Sequence, residues 1–137
     1  VARENAGPAA IKVPAAKLVQ IMRRLADEAR FAFDMLMLHT AADWPAKQEI
    51  ELFYRLHSSV NNQTLLVTTA ISREEPAAPT LSSIWPIAEW QEREVYDMFG
   101  VRYQGHPDLR RILLEDEWQG HPLRKDYKDD FMLERPW

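Results

Sequence analysis

The chain contains no cysteine. Disulfides, thiolate nucleophiles and cysteine-ligated iron–sulfur clusters are therefore excluded, and the redox compartment stays undecided. Glycine is scarce: only Gly7, Gly100, Gly105 and Gly120 occur in 137 residues. That spacing cannot build a glycine-rich phosphate loop, which removes Rossmann and Walker nucleotide sites. Long apolar runs are missing too. The longest uncharged run, Leu56 to Ser72, is full of Ser, Asn, Gln and Thr. Nothing approaches the ~20 apolar residues of a membrane span. No basic-then-apolar segment opens the chain, so a soluble or peripheral protein is expected. Positive charge is not in excess. Lys and Arg number 17 against 21 Asp and Glu, a net charge of −4, which gives no electrostatic basis for general nucleic-acid binding.

What is present fits one globular domain. The length suits a single core, and 46% hydrophobic with 28% charged residues is ordinary for a soluble fold. Tryptophan and proline are generous, with five and nine residues. Residues 1–12 read as a flexible arm without apolar period. A helix is expected from Pro14, with Leu18, Ile21, Met22 and Leu25 on one face. The dense apolar run Phe31 to His39 reads as a buried strand, and Ala41 to Pro45 as a connection. Ile50, Leu52, Tyr54 and Leu56 alternate with Glu49, Glu51, Phe53 and Arg55, which predicts a half-buried strand. Asn61-Asn62 supplies a turn and Thr64 to Ile71 a returning strand. Thr80 or Ser82 is placed to cap a helix over Ile84 to Phe99. Pro86 breaks that helix early, and Gly100 ends it in the left-handed conformation. Ile87, Trp90, Val95, Met98 and Phe99 are its candidate packed residues.

The texture changes after this helix. Residues 91–137 carry 8 Lys or Arg and 11 Asp or Glu, and apolar periodicity fades beyond Leu114. Residues 105–137 are therefore expected to be an extended tail lying on another protein, with Trp118, Tyr127, Phe131 and Trp137 as anchors. The expected architecture is α+β: a two-layer domain over 13–104, a mixed or antiparallel sheet with helices on one side, plus that tail.

Three constellations are candidates for chemistry. Glu92, Arg93, Glu94 and Asp97 share the predicted helix, where Glu89 with Arg93 and Arg93 with Asp97 stand at i,i+4. Read plainly they form a solvated salt-bridged face, worth about 0.3–0.5 kcal/mol per pair. Read sharply, Glu94 and Asp97 share a face as paired carboxylates for acid–base work. The second constellation is an echo: Gly105-His106-Pro107-Asp108-Leu109-Arg110-Arg111 and Gly120-His121-Pro122-Leu123-Arg124-Lys125-Asp126. Each is a bend with basic residues behind it. The bends either pair with carboxylates or bring His106, Asp108, His121 and Asp126 together at a metal. A hydrolase built on His106, Asp108, His121 and Glu94 is the enzymatic reading, and a free-standing binding module is another. The third constellation, His39 and His57, reads as structural, since no Ser-His-Asp arrangement follows from the spacing.

The stretch Trp90-Gln91-Glu92-Arg93-Glu94-Val95-Tyr96-Asp97-Met98-Phe99-Gly100-Val101 resembles the signature of the 30 kDa subunit of respiratory complex I, the bacterial NADH–quinone oxidoreductase. Gly105 to Leu113 and Trp118 to Asp126 resemble its continuation. The resemblance implies a non-catalytic subunit on the cytoplasmic side of the bacterial inner membrane, peripheral to a proton-translocating complex. It implies no cofactor on this chain, with NADH, quinone and iron–sulfur clusters bound elsewhere in the complex. The partners implied are the hydrogenase-like large subunit that forms the quinone site and the cluster-bearing subunits of the peripheral arm. Glu92, Arg93, Glu94 and Asp97 would form the charged helix of the family. His106, Asp108, Arg110 and Arg111 would form its bend, and His121, Arg124 and Asp126 would start the partner-binding tail. Related subunits occur in membrane-bound hydrogenases, so the parent complex stays open between these.

Overall fold

The computed structural model describes residues 9–128. Phe131 and Trp137, two of the expected tail anchors, lie outside the described residues.

Six strands and two helices follow in the order β1 (Ala9–Lys12), α1 (Leu18–Asp27), β2 (Met35–Trp44), β3 (Glu49–Ser58), β4 (Gln63–Ser72), β5 (Ala77–Pro79), α2 (Ala88–Phe99) and β6 (Arg102–Gln104). The main sheet has the order β1-β4-β3-β2. β2, β3 and β4 run antiparallel, and β1 pairs parallel with β4, so the sheet is mixed. β5 and β6 form a separate parallel pair.

The β3–β4 hairpin forms where alternation predicted it. Ile50, Leu52, Tyr54 and Leu56 are buried on one face, opposite Ile71, Thr69, Val67 and Leu65. Ser59 to Asn62 make the turn, and Asn62 takes a positive φ of 49°, which asparagine tolerates. α1 buries Leu18, Met22 and Leu25, and α2 buries Val95 and Phe99. These side chains join the inner face of the sheet in one core cluster. The helices thus cover one layer and leave the other sheet face open.

Several boundaries differ from expectation. Ala9–Lys12, read as arm, is an edge strand, because its backbone groups find partners along Leu65 to Thr68. α1 begins at Leu18, preceded by a short 3-10 turn at Ala15–Lys17 behind Pro14. β2 starts only at Met35 and runs through Trp44, so Ala41 to Trp44 is strand rather than connection. The chain turns instead at Pro45–Lys47 with Gln48 left-handed. Thr80 and Ser82 do not cap α2. Its first turn follows Ile87 with no side-chain cap, and the Thr80 hydroxyl is used inside the core.

Candidate site: the charged face of α2 and the strap laid on it

α2 buries charge rather than showing it to water. Glu92 and Asp97 are fully buried and Arg93 is 5% exposed, whereas Ile87 and Trp90, expected in the core, are 49% and 53% exposed. The solvated, salt-bridged face is therefore not what forms. Neither helical i,i+4 pair is made. Arg93 donates instead through Nε to the Arg110 carbonyl (3.0 Å) and through Nη2 to the Arg111 carbonyl (2.9 Å). Its guanidinium lies over the Trp90 ring at 5.2 Å. Glu94 points to solvent while Asp97 does not, so the two carboxylates do not act as a pair.

Asp97 collects donors from a segment far along the chain. Its Oδ1 accepts from Arg111 Nη1 at 2.6 Å. Its Oδ2 accepts the backbone N–H groups of Ile112, Leu113 and Leu114 at 3.2, 2.8 and 2.9 Å. Burial alone would raise this carboxyl. The Arg111 guanidinium and the three N–H donors outweigh burial and hold it below the usual carboxylate range. Arg111 also donates to the Trp118 and Gly120 carbonyls, so one side chain gathers the loop from 111 to 120.

A second buried carboxylate fastens the far end. Asp43, on the inner face of β2, accepts from Arg73 Nε (2.6 Å) and Nη2 (3.0 Å), and from the Lys125 N–H (2.8 Å). The Arg73 hydrogen bonds are the main reason its carboxyl is held low. Arg124 donates to the carbonyls of Phe99 and Arg73. Asp126 pairs with Arg73 at 3.3 Å and with Arg124 at 3.6 Å. Between the two fastenings, the Leu123 N–H bonds the Met98 carbonyl. His121 donates through Nδ1 to the Asp97 carbonyl and packs its ring over Gly100. A Cβ at Gly100 would lie 2.7 Å from that ring, and its φ is +80°.

Residues 105–128 are thus a strap on their own domain, not an arm reaching away from it. The physical reason is that α2 and β2 each carry, near one end, a buried carboxylate that accepts from this segment. Asp97 accepts from Arg111 and three backbone N–H groups, and Asp43 from the Lys125 N–H beside its Arg73 partner. Among charged neighbours, the strap also turns three large apolar side chains outward: Leu113 is 61%, Leu123 54% and Trp118 38% exposed. Tyr127 packs its ring against Gly120.

The histidines do not converge on a metal. His106 Nδ1 accepts the Asp108 N–H, and Nε2 donates to the Glu89 carbonyl, so both ring nitrogens are used in closing the bend. Asp108 pairs with Arg110 at 2.9 Å, both largely exposed. Among the described residues no group of three His, Asp or Glu is placed to hold a metal ion. His121 and Arg124 line a half-open cleft of about 560 Å3 with Glu74, Glu75 and Arg102, a lining of both signs of charge.

Inside the core, Glu92 accepts from the Thr80 hydroxyl and from the Leu81 N–H at 3.1 Å. Burial raises its carboxyl to about 7, against the lowering effect of those two donors, and Glu89 adds to the rise. His39 is buried, stacks on Tyr54 at 4.1 Å, and accepts the Tyr103 hydroxyl at Nε2 while Nδ1 donates to the Phe53 carbonyl. Burial lowers it to about 4, which makes it the satisfied structural residue its position in a strand suggested. Asp43 and Arg73 are the anchors the sequence did not reveal. Continuing the strand through Trp44 would have placed Asp43 on the buried side, two residues after Ala41, and that is the signal.

Residues 11–130 match the family described as the respiratory-chain NADH dehydrogenase 30 Kd subunit. The NADH-quinone oxidoreductase C subunit of Moorella thermoacetica is 41% identical over 126 residues, covering 92% of this chain and 84% of that protein. The corresponding C/D subunit of Phocaeicola vulgatus is 41% identical over 120 residues, 87% of this chain and 22% of that longer protein. Among solved structures, a chain of the archaeal membrane-bound sulfane sulfur reductase, a respiratory membrane complex, superposes with a TM-score of 0.80. It is 30% identical and covers 92% of this chain and 75% of that one. On the charged helix, the double bend and these matches together, the chain belongs to the family of the 30 Kd subunit of respiratory-chain NADH dehydrogenase.

Proposed function

We propose that this chain is a non-catalytic peripheral-arm subunit of a proton-translocating NADH–quinone oxidoreductase. Its work is to hold the hydrogenase-like, quinone-site large subunit and neighbouring cluster-bearing subunits in register, on the cytoplasmic side of the membrane, without binding a cofactor itself. No helix among the described residues is long and apolar enough to cross a membrane, so attachment would run through protein contacts.

The observation that carries this reading is the strap. Asp97, Asp43, Arg93 and Arg111 fasten it to the domain, while Leu113, Trp118 and Leu123 face outward, as does Trp90 on α2. A rigid, pre-ordered apolar surface loses little entropy on docking, and tryptophan is the residue type that dominates interfaces. The two buried carboxylates are saturated with donors, so neither is placed as a general base.

The sulfane sulfur reductase match favours a second reading, in which the parent complex is a related membrane oxidoreductase or hydrogenase. One experiment decides both. The tagged chain is purified gently from its native membrane and its companions are identified by mass spectrometry. A hydrogenase-like large subunit with iron–sulfur and antiporter-like membrane subunits is the expected result, and the electron-input subunits identify the parent complex. Recovery of the chain alone, from a preparation that keeps other membrane complexes intact, would overturn the proposal.

A further inference from the structure

The open face of the main sheet lies opposite the helices and the strap. Sheet faces in water normally carry polar side chains. This one presents Met35, Leu38, Thr40, Phe53 and Leu66 along β2, β3 and β4, with Leu38 51% and Met35 46% exposed. Leu38, Thr40, Phe53, Arg55 and Leu66 line a shallow groove of about 300 Å3. Arg55 stands in this groove, and Glu51 lies on the same face four residues earlier on β3. Neither forms an ion pair among the described residues.

We infer that this face is a second docking surface, taken by one amphipathic helix of another subunit lying along β3. The inference goes beyond the strap-side interface but rests on the chain being a subunit of an assembly. Size selects the occupant. Three ten-residue strands present roughly 34 by 15 Å, or about 500 Å2. A stable dimer needs about 800 Å2 per partner, so a second copy would be held too weakly by this face alone. A helix ~10 Å across, already tethered within a complex, fits it. Charge fixes its chemistry. Arg55 and Glu51 are roughly 13 Å apart along the strand, a span that an acidic and a basic side chain about seven or eight residues, two turns, apart on one face of a helix can reach. Apolar residues between them would cover Phe53, Leu38 and Leu66, completing a helix–sheet–helix sandwich.

The test places a photoreactive amino acid at Leu38, and separately at Leu113 on the strap, in the intact membrane complex. Crosslinking from position 38 into a single helical segment of another subunit, with an acid and a base about seven or eight residues apart on the docked face, is the expected result. A crosslink to a second copy of this chain, to lipid or to a non-helical segment overturns the inference. So does silence at position 38 while position 113 crosslinks to other subunits. Silence at both positions overturns the subunit reading as well. In parallel, Arg55→Glu should lower recovery of the chain in the purified complex at least tenfold with an unchanged melting temperature. Leu38→Asp, at a half-exposed position, serves the same purpose if the first variant folds poorly. Full recovery of either folded variant in the complex also overturns the inference.

Discussion

Asp97 and Arg111 are 14 positions apart and meet at 2.6 Å, one from a helix and one from a strap without regular structure. The contact turns a charged motif into a fastening. Asp97 is fully buried and Arg111 is only 10% exposed at its side chain, and the neighbouring N–H groups fill the other carboxylate oxygen.

Removing the charge from Asp97 should therefore be expensive. Breaking one side of a buried, hydrogen-bonded pair costs about 3–5 kcal/mol. Asp97→Asn is expected to lower stability by that order in urea unfolding and to speed amide exchange at Ile112, Leu113 and Leu114. Wild-type protection of those three amides in the variant would show that Asp97 does not hold the strap.

Arg110 offers the contrast with its neighbour. Its pair with Asp108 is exposed on both sides, and such pairs add little to a fold. Arg110→Ala should leave the melting temperature of the isolated chain unchanged and still reduce its recovery in the assembled complex. If stability and assembly fall together, Arg110 belongs to the fold and not to an interface.

Gly100 is required twice over, by its φ of +80° and by the His121 ring that a Cβ would strike. Gly100→Ala should cost at least about 1–2 kcal/mol, the penalty of a left-handed non-glycine residue, measured by chemical denaturation. Combining it with His121→Ala should give a loss smaller than the sum of the two, because the clash then disappears. Simple additivity would mean the ring and the glycine are independent.

Glu92 sets a pH dependence. Its folded value of about 7 lies above the ordinary value of 4.5, so the folded state binds the extra proton. The stability this provides is complete below pH 4.5 and is lost as pH rises through 7. Glu92→Gln mimics the protonated form. Between about pH 5 and 8 it should gain on the wild type by up to about 3 kcal/mol. His39 works in the other direction: with a folded value near 4, its contribution is present above pH 6.5 and fades as pH falls towards 4. Urea titrations of both proteins across that pH range would decide it. A constant difference throughout would remove Glu92 as the titrating group.

Local rules recovered much of the frame. Alternation at Ile50, Leu52, Tyr54 and Leu56 defined the inner face of β3, since a strand has only two sides. Gly100 marked the end of α2 because few other residues adopt its conformation. The motif from Trp90 to Asp126 carried the family. Periodicity could not say whether a charged face would meet water. The burial of Glu92, Arg93 and Asp97 on α2 depends on Thr80, Leu81, Arg110, Arg111 and the amides of 112–114. Asp43 depends on Lys125, 82 positions away. The sequence by itself determined which segments alternate, turn and end, because those preferences are set by neighbours along the chain. Only the tertiary structure decided that the tail is a strap, since burying a carboxylate is favourable only where distant donors converge on it in space.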